Sequence, residues 1–146
     1  MATEKLQRFL AELAAIQDRD ERMELLIETA ARFEEVPARI ATRPYPESNL
    51  VPGCQSEAYV FAEPLPNGTL QFFYAVENPQ GISAKAMAVI LDENLSGEPL
   101  SDVATVSSDI VYDIFGKSIA MGKGQGLMGM IFLTQALARG QASDQA

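Results

Sequence analysis

The chain has 146 residues, 47% of them hydrophobic, which is enough to build one domain with a buried core. Eleven basic and 20 acidic side chains give a formal net charge of −9, which argues against nucleic acid and anionic membranes as partners because both bind basic surfaces. One cysteine and no histidine exclude an internal disulfide, a Cys–His or Ser–His–Asp catalytic group and a structural zinc site.

The N-terminal part predicts two amphipathic helices. Thr3 is a suitable N-cap for the first, and Asp18 with Glu21 resembles a capping box for the second. Apolar residues at helical spacing predict the core-facing side of each helix: Leu6, Phe9, Leu10 and Leu13 in the first, and Met23, Leu26, Ile27 and Ala30, continued by Phe33, in the second. Pro37 ends or bends the second helix. The first ten residues are charged, so we expect no signal peptide and a cytoplasmic location.

The middle of the chain changes to a period of two. Residues 57–62 and 69–76 predict two strands of a β-hairpin around the Asn67-Gly68 pair, preceded by extended chain and turns over 42–53. Two strands are seldom stable alone, so helices have to cover them. We therefore predict a single α+β domain spanning 1–146, in which N-terminal and C-terminal helices pack on a small antiparallel hairpin.

The later part predicts helices. A mostly buried helix is expected over 82–93, with no run of the roughly 18 apolar residues that a membrane span needs. Short helical pieces follow at 99–106 and 108–116, the second capped by Ser108 and ended by Gly116. The closing helix is expected over 124–140, with Gly140 just past its end and a frayed polar tail at 141–146.

The one thiol, Cys54, stands in an unusual context. It follows Pro52-Gly53 and precedes the polar pair Gln55-Ser56, which predicts a turn leading into a strand. A lone cysteine is more often a small buried hydrophobe, but a thiol at such a turn can be exposed or half-covered. Without a base, metal or cofactor site beside it, this thiol suits accepting a group and passing it on by thiol exchange.

A nucleophilic Cys54 needs positive charge nearby, and no basic residue occurs between Arg43 and Lys85. Lys123 is the best candidate within the chain, because it stands among glycines at the start of the last helix, where free amide groups also favour an anion. Lys123 could instead be an ordinary solvated lysine, in which case a partner would supply the positive charge.

Two stretches resemble known motifs. "NLVPGCQSEAYV" (49–60) resembles the active-cysteine motif of the SufE family, which includes SufE and CsdE. "MGKGQGLMGM" (121–130) resembles the second motif of that family, with Lys123 where the family usually has arginine and with Gln125 and Gly126 matching the rest. The order of elements is also similar over a core of about 5–138.

The resemblance implies an α+β fold like that of SufE and of the iron–sulfur scaffold IscU. It implies that Cys54 accepts sulfane sulfur as a persulfide from a PLP-dependent cysteine desulfurase of the SufS or CsdA type and passes it to an iron–sulfur scaffold. Gly53 would permit the tight loop, and Gln55 and Ser56 would hold it through hydrogen bonds. Lys123, Gln125 and Gly126 would contact an anion or the partner. We expect a monomeric sulfur carrier without a cofactor or metal, rather than a stand-alone enzyme.

Two other functions are compatible with the sequence. One is a non-catalytic adaptor of the same fold that docks on a desulfurase without carrying sulfur. The other is a thiol peroxidase or thioltransferase. The chain is poorly suited to either activity because it has no second cysteine to resolve the intermediate. Lysine in place of arginine at 123 loses a planar fork of donors, which leaves open which desulfurase is the partner.

Overall fold

A β-hairpin lies at the centre of the computed structural model, which describes residues 3–54 and 56–145. Strands β1 (Ala58–Pro64) and β2 (Leu70–Val76) are antiparallel, with Ala58 opposite Val76 and Pro64 opposite Leu70. The Asn67-Gly68 pair makes the turn, as predicted. Gly68 has a φ of 86°, and the Asn67 side chain accepts a hydrogen bond from the Thr69 amide.

Within the described residues, six α-helices and a short 3₁₀ turn accompany the hairpin, so the predicted α+β class is confirmed. The cap predictions for the first two helices also agree: the Thr3 hydroxyl accepts from the Leu6 amide at 3.1 Å, and the Asp18 carboxylate accepts from the Asp20 amide at 2.8 Å. The helices are α1 (Glu4–Ala14), α2 (Arg19–Ala31), α3 (Ile82–Leu95), α4 (Leu100–Ala104), α5 (Ile110–Phe115) and α6 (Met121–Gln145), with the 3₁₀ turn at Glu47–Asn49. Across the described ranges, no helix has both the length and the apolar content that crossing a bilayer requires.

The main core lies between one face of the hairpin and the helices. Val60, Phe72 and Tyr74 are at most 3% exposed and pack with α3 and α6. The Tyr74 hydroxyl is 2.8 Å from the Thr134 hydroxyl of α6, and burial raises the pKa of that phenol well above its usual value. The core therefore includes one buried polar contact that connects β2 to the last helix.

The opposite face of the hairpin is covered by the chain that follows α2. The Val36 amide donates to the Tyr74 carbonyl at 2.9 Å, and the Glu35 carboxylate accepts from the Val76 amide at 3.0 Å. Arg43 pairs with Glu35 and Glu77, and the hydrogen bond that the guanidinium donates to the Glu77 carboxylate raises the pKa of Arg43. This segment bonds to the outer edge of β2, and its apolar side chains pack on the second face of the hairpin, so both faces of the two-stranded sheet are packed.

The predicted apolar face of α2 and the predicted cap of α5 are wrong in part. The predicted apolar face of α2 is only half buried: Leu26 and Ala30 are in the core, but Met23 and Ile27 are 53% and 49% exposed. The N-cap of α5 is Asp109 rather than Ser108, and its side chain makes no capping hydrogen bond. Just before the helix, the Ser107 hydroxyl accepts from the Asp109 amide at 3.1 Å.

The last helix is longer than predicted at both ends. It begins at Met121 and continues through Gly140 to Gln145, so the predicted tail is helical up to that residue, and position 146 lies outside the described residues. The Gln145 side chain donates to the Gly68 carbonyl at 2.8 Å. This contact with the hairpin turn stabilises the final helical turn, although the residues there are polar.

Candidate active site around Cys54

Cys54 lies in a loop that two turns form between the 3₁₀ turn and β1. The Val51 amide donates to the Ala58 carbonyl at 2.8 Å and closes the base of the loop. The Cys54 amide donates to the Val51 carbonyl at 3.5 Å across Pro52-Gly53, and Gly53 has a φ of 73°. Proline followed by a left-handed glycine is the pattern of a type II turn. Gly53 therefore provides the backbone conformation that brings Cys54 back toward the protein.

The second turn connects Cys54 to the strand. The Glu57 amide donates to the Cys54 carbonyl at 3.1 Å, and Glu57 has a φ of 52°, which is uncommon for a residue other than glycine. The Ser56 carbonyl accepts from the Asn78 amide at 3.1 Å and thereby ties the loop to the segment before α3. Gln55, which was also predicted to hold the loop, lies outside the described residues.

Glycines of α6 form the surface on which this loop rests. A β-carbon at Gly126 would lie 3.1 Å from the Cys54 Cα and 3.5 Å from its Sγ. A β-carbon at Gly129 would lie 2.7 Å from a methyl of Val51. Glycine in a helix interior lowers helix stability by about 1 kcal/mol relative to alanine. At these two positions it allows the loop to approach the helix closely.

A third glycine supports the loop from the other side. A β-carbon at Gly81 would lie 2.9 Å from the Ser56 hydroxyl and 3.0 Å from a methyl of Val76. Sequence reasoning took Gly126 as a partner contact and did not identify Gly81 or Gly129. For Gly126 and Gly129 the available signal was the spacing of glycines in a segment that otherwise reads as helix, because isolated helical glycines often have a packing reason.

Beside the thiol is a surface cavity of about 470 Å³. Cys54 is partly buried and packs against the core, and its side chain lines the cavity. The walls combine apolar side chains from three helices with four polar residues: Met23, Ile27, Ile82 and Leu127 are apolar, and Ser56, Asn78, Gln80 and Ser83 are polar. The thiol therefore adjoins a space large enough for a reacting group from another molecule.

The described walls of this cavity carry positive charge and no negative charge. Over residues 3–54 and 56–145, Lys123 is the only charged side chain in its walls, and no carboxylate lines it. Lys123 is exposed and belongs to the first turn of α6, so the N-terminal end of the helix dipole lies on the same side. The cavity beside Cys54 is thus a favourable place for an anion in a chain of net charge −9.

The structure brings together some of the predicted site residues and separates others. Cys54, Ser56 and Lys123 line one cavity. Gly126 is buried against the backbone of Cys54, where it cannot face a partner while the loop rests on it. Gln125 is exposed and does not line the cavity.

The thiol of Cys54 is the reactive group of this site. In the part of the chain that the structure describes, no three Cys, Asp or Glu side chains converge as ligands for a metal ion. A thiolate is a good nucleophile and a good leaving group, but bond hydrolysis would need a general base, and the described residues of the cavity walls include no carboxylate or imidazole for that role. The arrangement therefore suits exchange reactions at sulfur.

The fold and the site together define a class: an α+β domain that presents a single partly buried thiol beside an open cavity. The family model of the SufE Fe–S metabolism associated domain matches residues 7–138 of this chain. The chain belongs to the SufE family, whose domain is associated with iron–sulfur metabolism.

The fold also resembles a solved structure. The solution structure of a hypothetical protein from Thermus thermophilus superposes with a TM-score of 0.76 at 24% sequence identity. The similarity covers 98% of this chain and 99% of that one, and at this identity it shows the fold alone. No curated protein matches the chain significantly.

Proposed function

We propose that Cys54 accepts sulfane sulfur as a persulfide from a PLP-dependent cysteine desulfurase and passes it to an iron–sulfur scaffold. The observation that carries this proposal is the position of the only cysteine, partly buried in the wall of a cavity of about 470 Å³ rather than enclosed in the core. Membership of a family associated with iron–sulfur metabolism supports the same assignment.

The first step is a thiol exchange. The Cys54 thiolate attacks the terminal sulfur of the donor cysteine persulfide, and a bond forms between Sγ and that sulfur. The sulfur–sulfur bond of the donor breaks, and its electron pair leaves with the donor cysteine as a thiolate. The proton on the transferred sulfur is retained, and no external oxidant or reductant is needed.

The second step repeats the exchange in the other direction. A thiolate of the recipient attacks the outer sulfur of the Cys54 persulfide, and Cys54 leaves as a thiolate, ready for another cycle. Both steps place negative charge on sulfur in the cavity. Lys123 lines that cavity without a competing carboxylate, so it would attract the anionic sulfur in each step.

The test is the intact mass of the protein after incubation with a cysteine desulfurase, PLP and cysteine. We expect the wild type to gain the mass of one sulfur and Cys54→Ser to gain none. Circular dichroism of Cys54→Ser checks that the fold is kept. A serine variant that still stimulates the desulfurase fully would contradict the proposal and indicate an adaptor instead.

A further inference from the structure

The cavity beside Cys54 continues into a longer groove. A second cavity, of about 300 Å³, shares Met23, Ile82, Ser83 and Lys123 with the first. It extends along α2 to Arg19 and to Ile119 in the loop before α6. We name the whole surface from Cys54 to Arg19 and Ile119 the α2–α6 groove. The space next to the thiol is thus one end of a much longer binding surface.

Large apolar side chains are exposed along the middle of this groove. Met23, Ile27 and Ile82 keep 53%, 49% and 48% of their surface in contact with solvent. Met23 and Ile27 follow the helical spacing of core-facing positions in α2, yet no other element of the described chain covers them. A contiguous exposed apolar surface next to a functional group is typical of a protein-binding site.

Two of the three basic side chains without a carboxylate or carbonyl partner in the described residues line the groove. Arg19 and Lys123 line it, and no carboxylate does so within the described ranges. Most lysines and arginines of the chain bind a carboxylate or a backbone carbonyl. Within residues 3–54 and 56–145, those without such a partner are Arg19, Lys117 and Lys123, and Lys117 belongs to the loop that borders the groove.

We propose that the α2–α6 groove binds an apolar segment of the cysteine desulfurase that carries acidic side chains and presents the donor persulfide to Cys54. This inference rests on the proposed function. Arg19 and Lys123 have no carboxylate partner although the chain has a net charge of −9, which favours an acidic occupant. The exposed methionine and isoleucines favour an apolar one. The same net charge opposes docking of a second copy or of an anionic membrane.

The experiment is an equilibrium titration of the full chain with a cysteine desulfurase. Arg19→Glu, at the end of the groove away from Cys54, is expected to weaken binding at least tenfold at low ionic strength and less at high ionic strength. Ile27→Ser is expected to weaken binding about tenfold at both. The matched controls are Arg8→Glu on α1 and Phe132→Ser on α6, which are also exposed but lie outside the groove. They are expected to bind like the wild type.

The outcomes separate this inference from the proposed function. If the wild type gains sulfur on Cys54 and both groove variants bind normally, the groove assignment is wrong and sulfur acceptance stands. If the groove variants bind the desulfurase weakly while Cys54 never gains sulfur, the groove assignment is correct and the carrier function is wrong. If the wild type has no affinity for a desulfurase, the groove assignment is wrong. It is also wrong if the protein forms a homodimer that Arg19→Glu dissociates while desulfurase binding is unchanged.

Discussion

Gly126 lies directly against Cys54, so close that a β-carbon on the glycine would stand 3.1 Å from the Cys54 Cα and 3.5 Å from its sulfur. The helix and the loop are more than 70 positions apart in sequence. The resting position of the thiol is therefore set by the absence of a side chain on α6. A small change at this glycine should move the loop without disturbing the rest of the fold.

Gly126→Ala tests this relationship. The added methyl requires the loop to shift by a few tenths of an ångström, and we expect Cys54 to become more exposed and to react several-fold faster with an alkylating reagent. The helix gains about 1 kcal/mol from alanine, which offsets the crowding, so the free energy of unfolding should change by less than about 1 kcal/mol. Alkylation kinetics and denaturant unfolding measure the two effects.

Gly140→Ala is the matched control, because this glycine is also inside α6 and a β-carbon there meets nothing within 4 Å. It should stabilise the protein by about 0.5–1 kcal/mol and leave alkylation of Cys54 unchanged. Equal alkylation rates in the two alanine variants would show that Gly126 does not position the thiol.

Gly129→Ala should be more damaging. Its β-carbon would lie 2.7 Å from a methyl of Val51, which is 1% exposed and has little room to move. Overpacking of this kind costs about 1–3 kcal/mol, more than alanine returns in helix propensity. The free energy of unfolding, measured in urea, should therefore fall. An unchanged midpoint and slope would mean that the loop adjusts freely at this point.

Lys123→Gln should slow sulfur acceptance by Cys54. The lysine provides the charge in the cavity walls, and its removal leaves an anionic sulfur without a nearby cation. We expect a decrease of about threefold to tenfold at low salt that diminishes at high salt, because screening weakens an exposed charge. Lys123→Arg should keep most of the rate.

Rapid-quench mass measurement of persulfide formation gives these rates. Lys5→Gln is the control, because Lys5 is an exposed lysine far along the chain that pairs only weakly, at 4.0 Å, with Glu98. A rate for Lys123→Gln equal to that of this control would remove Lys123 from the site.

Tyr74→Phe should change how stability depends on pH. The phenol of Tyr74 is fully buried, and burial raises its pKa above the value of about 10 that it has in the unfolded chain. Above that pH the unfolded state releases a proton that the folded state keeps, so the folded protein loses stability as pH rises.

The phenylalanine variant lacks this contribution. It should be about 1 kcal/mol less stable at neutral pH, because the hydrogen bond with Thr134 is lost. Its stability should then decline less steeply than that of the wild type above pH of about 10. Urea unfolding at a series of alkaline pH values compares the two slopes, and parallel slopes would contradict the assignment to Tyr74.

Local patterns were sufficient for much of the fold. The two-residue period around Asn67-Gly68 predicted the hairpin, and Thr3 and Asp18 predicted where the first two helices begin. The Pro52-Gly53 pair predicted the turn before Cys54. These features depend on interactions between residues close in sequence, namely turn conformation, side-chain caps and alternation along a strand, so the residues themselves carry the information.

The sequence by itself thus determined the α+β class, the single thiol at a turn and the excess of negative charge. Only the tertiary structure decided that Gly126 and Gly129 support the Cys54 loop, that Met23 and Ile27 stay exposed, and that Gln145 extends α6 to the hairpin turn. The physical reason is that each of these depends on a contact, or on a missing contact, between segments far apart in the chain. An apolar residue at helical spacing has the same local signature whether a core or a partner covers it.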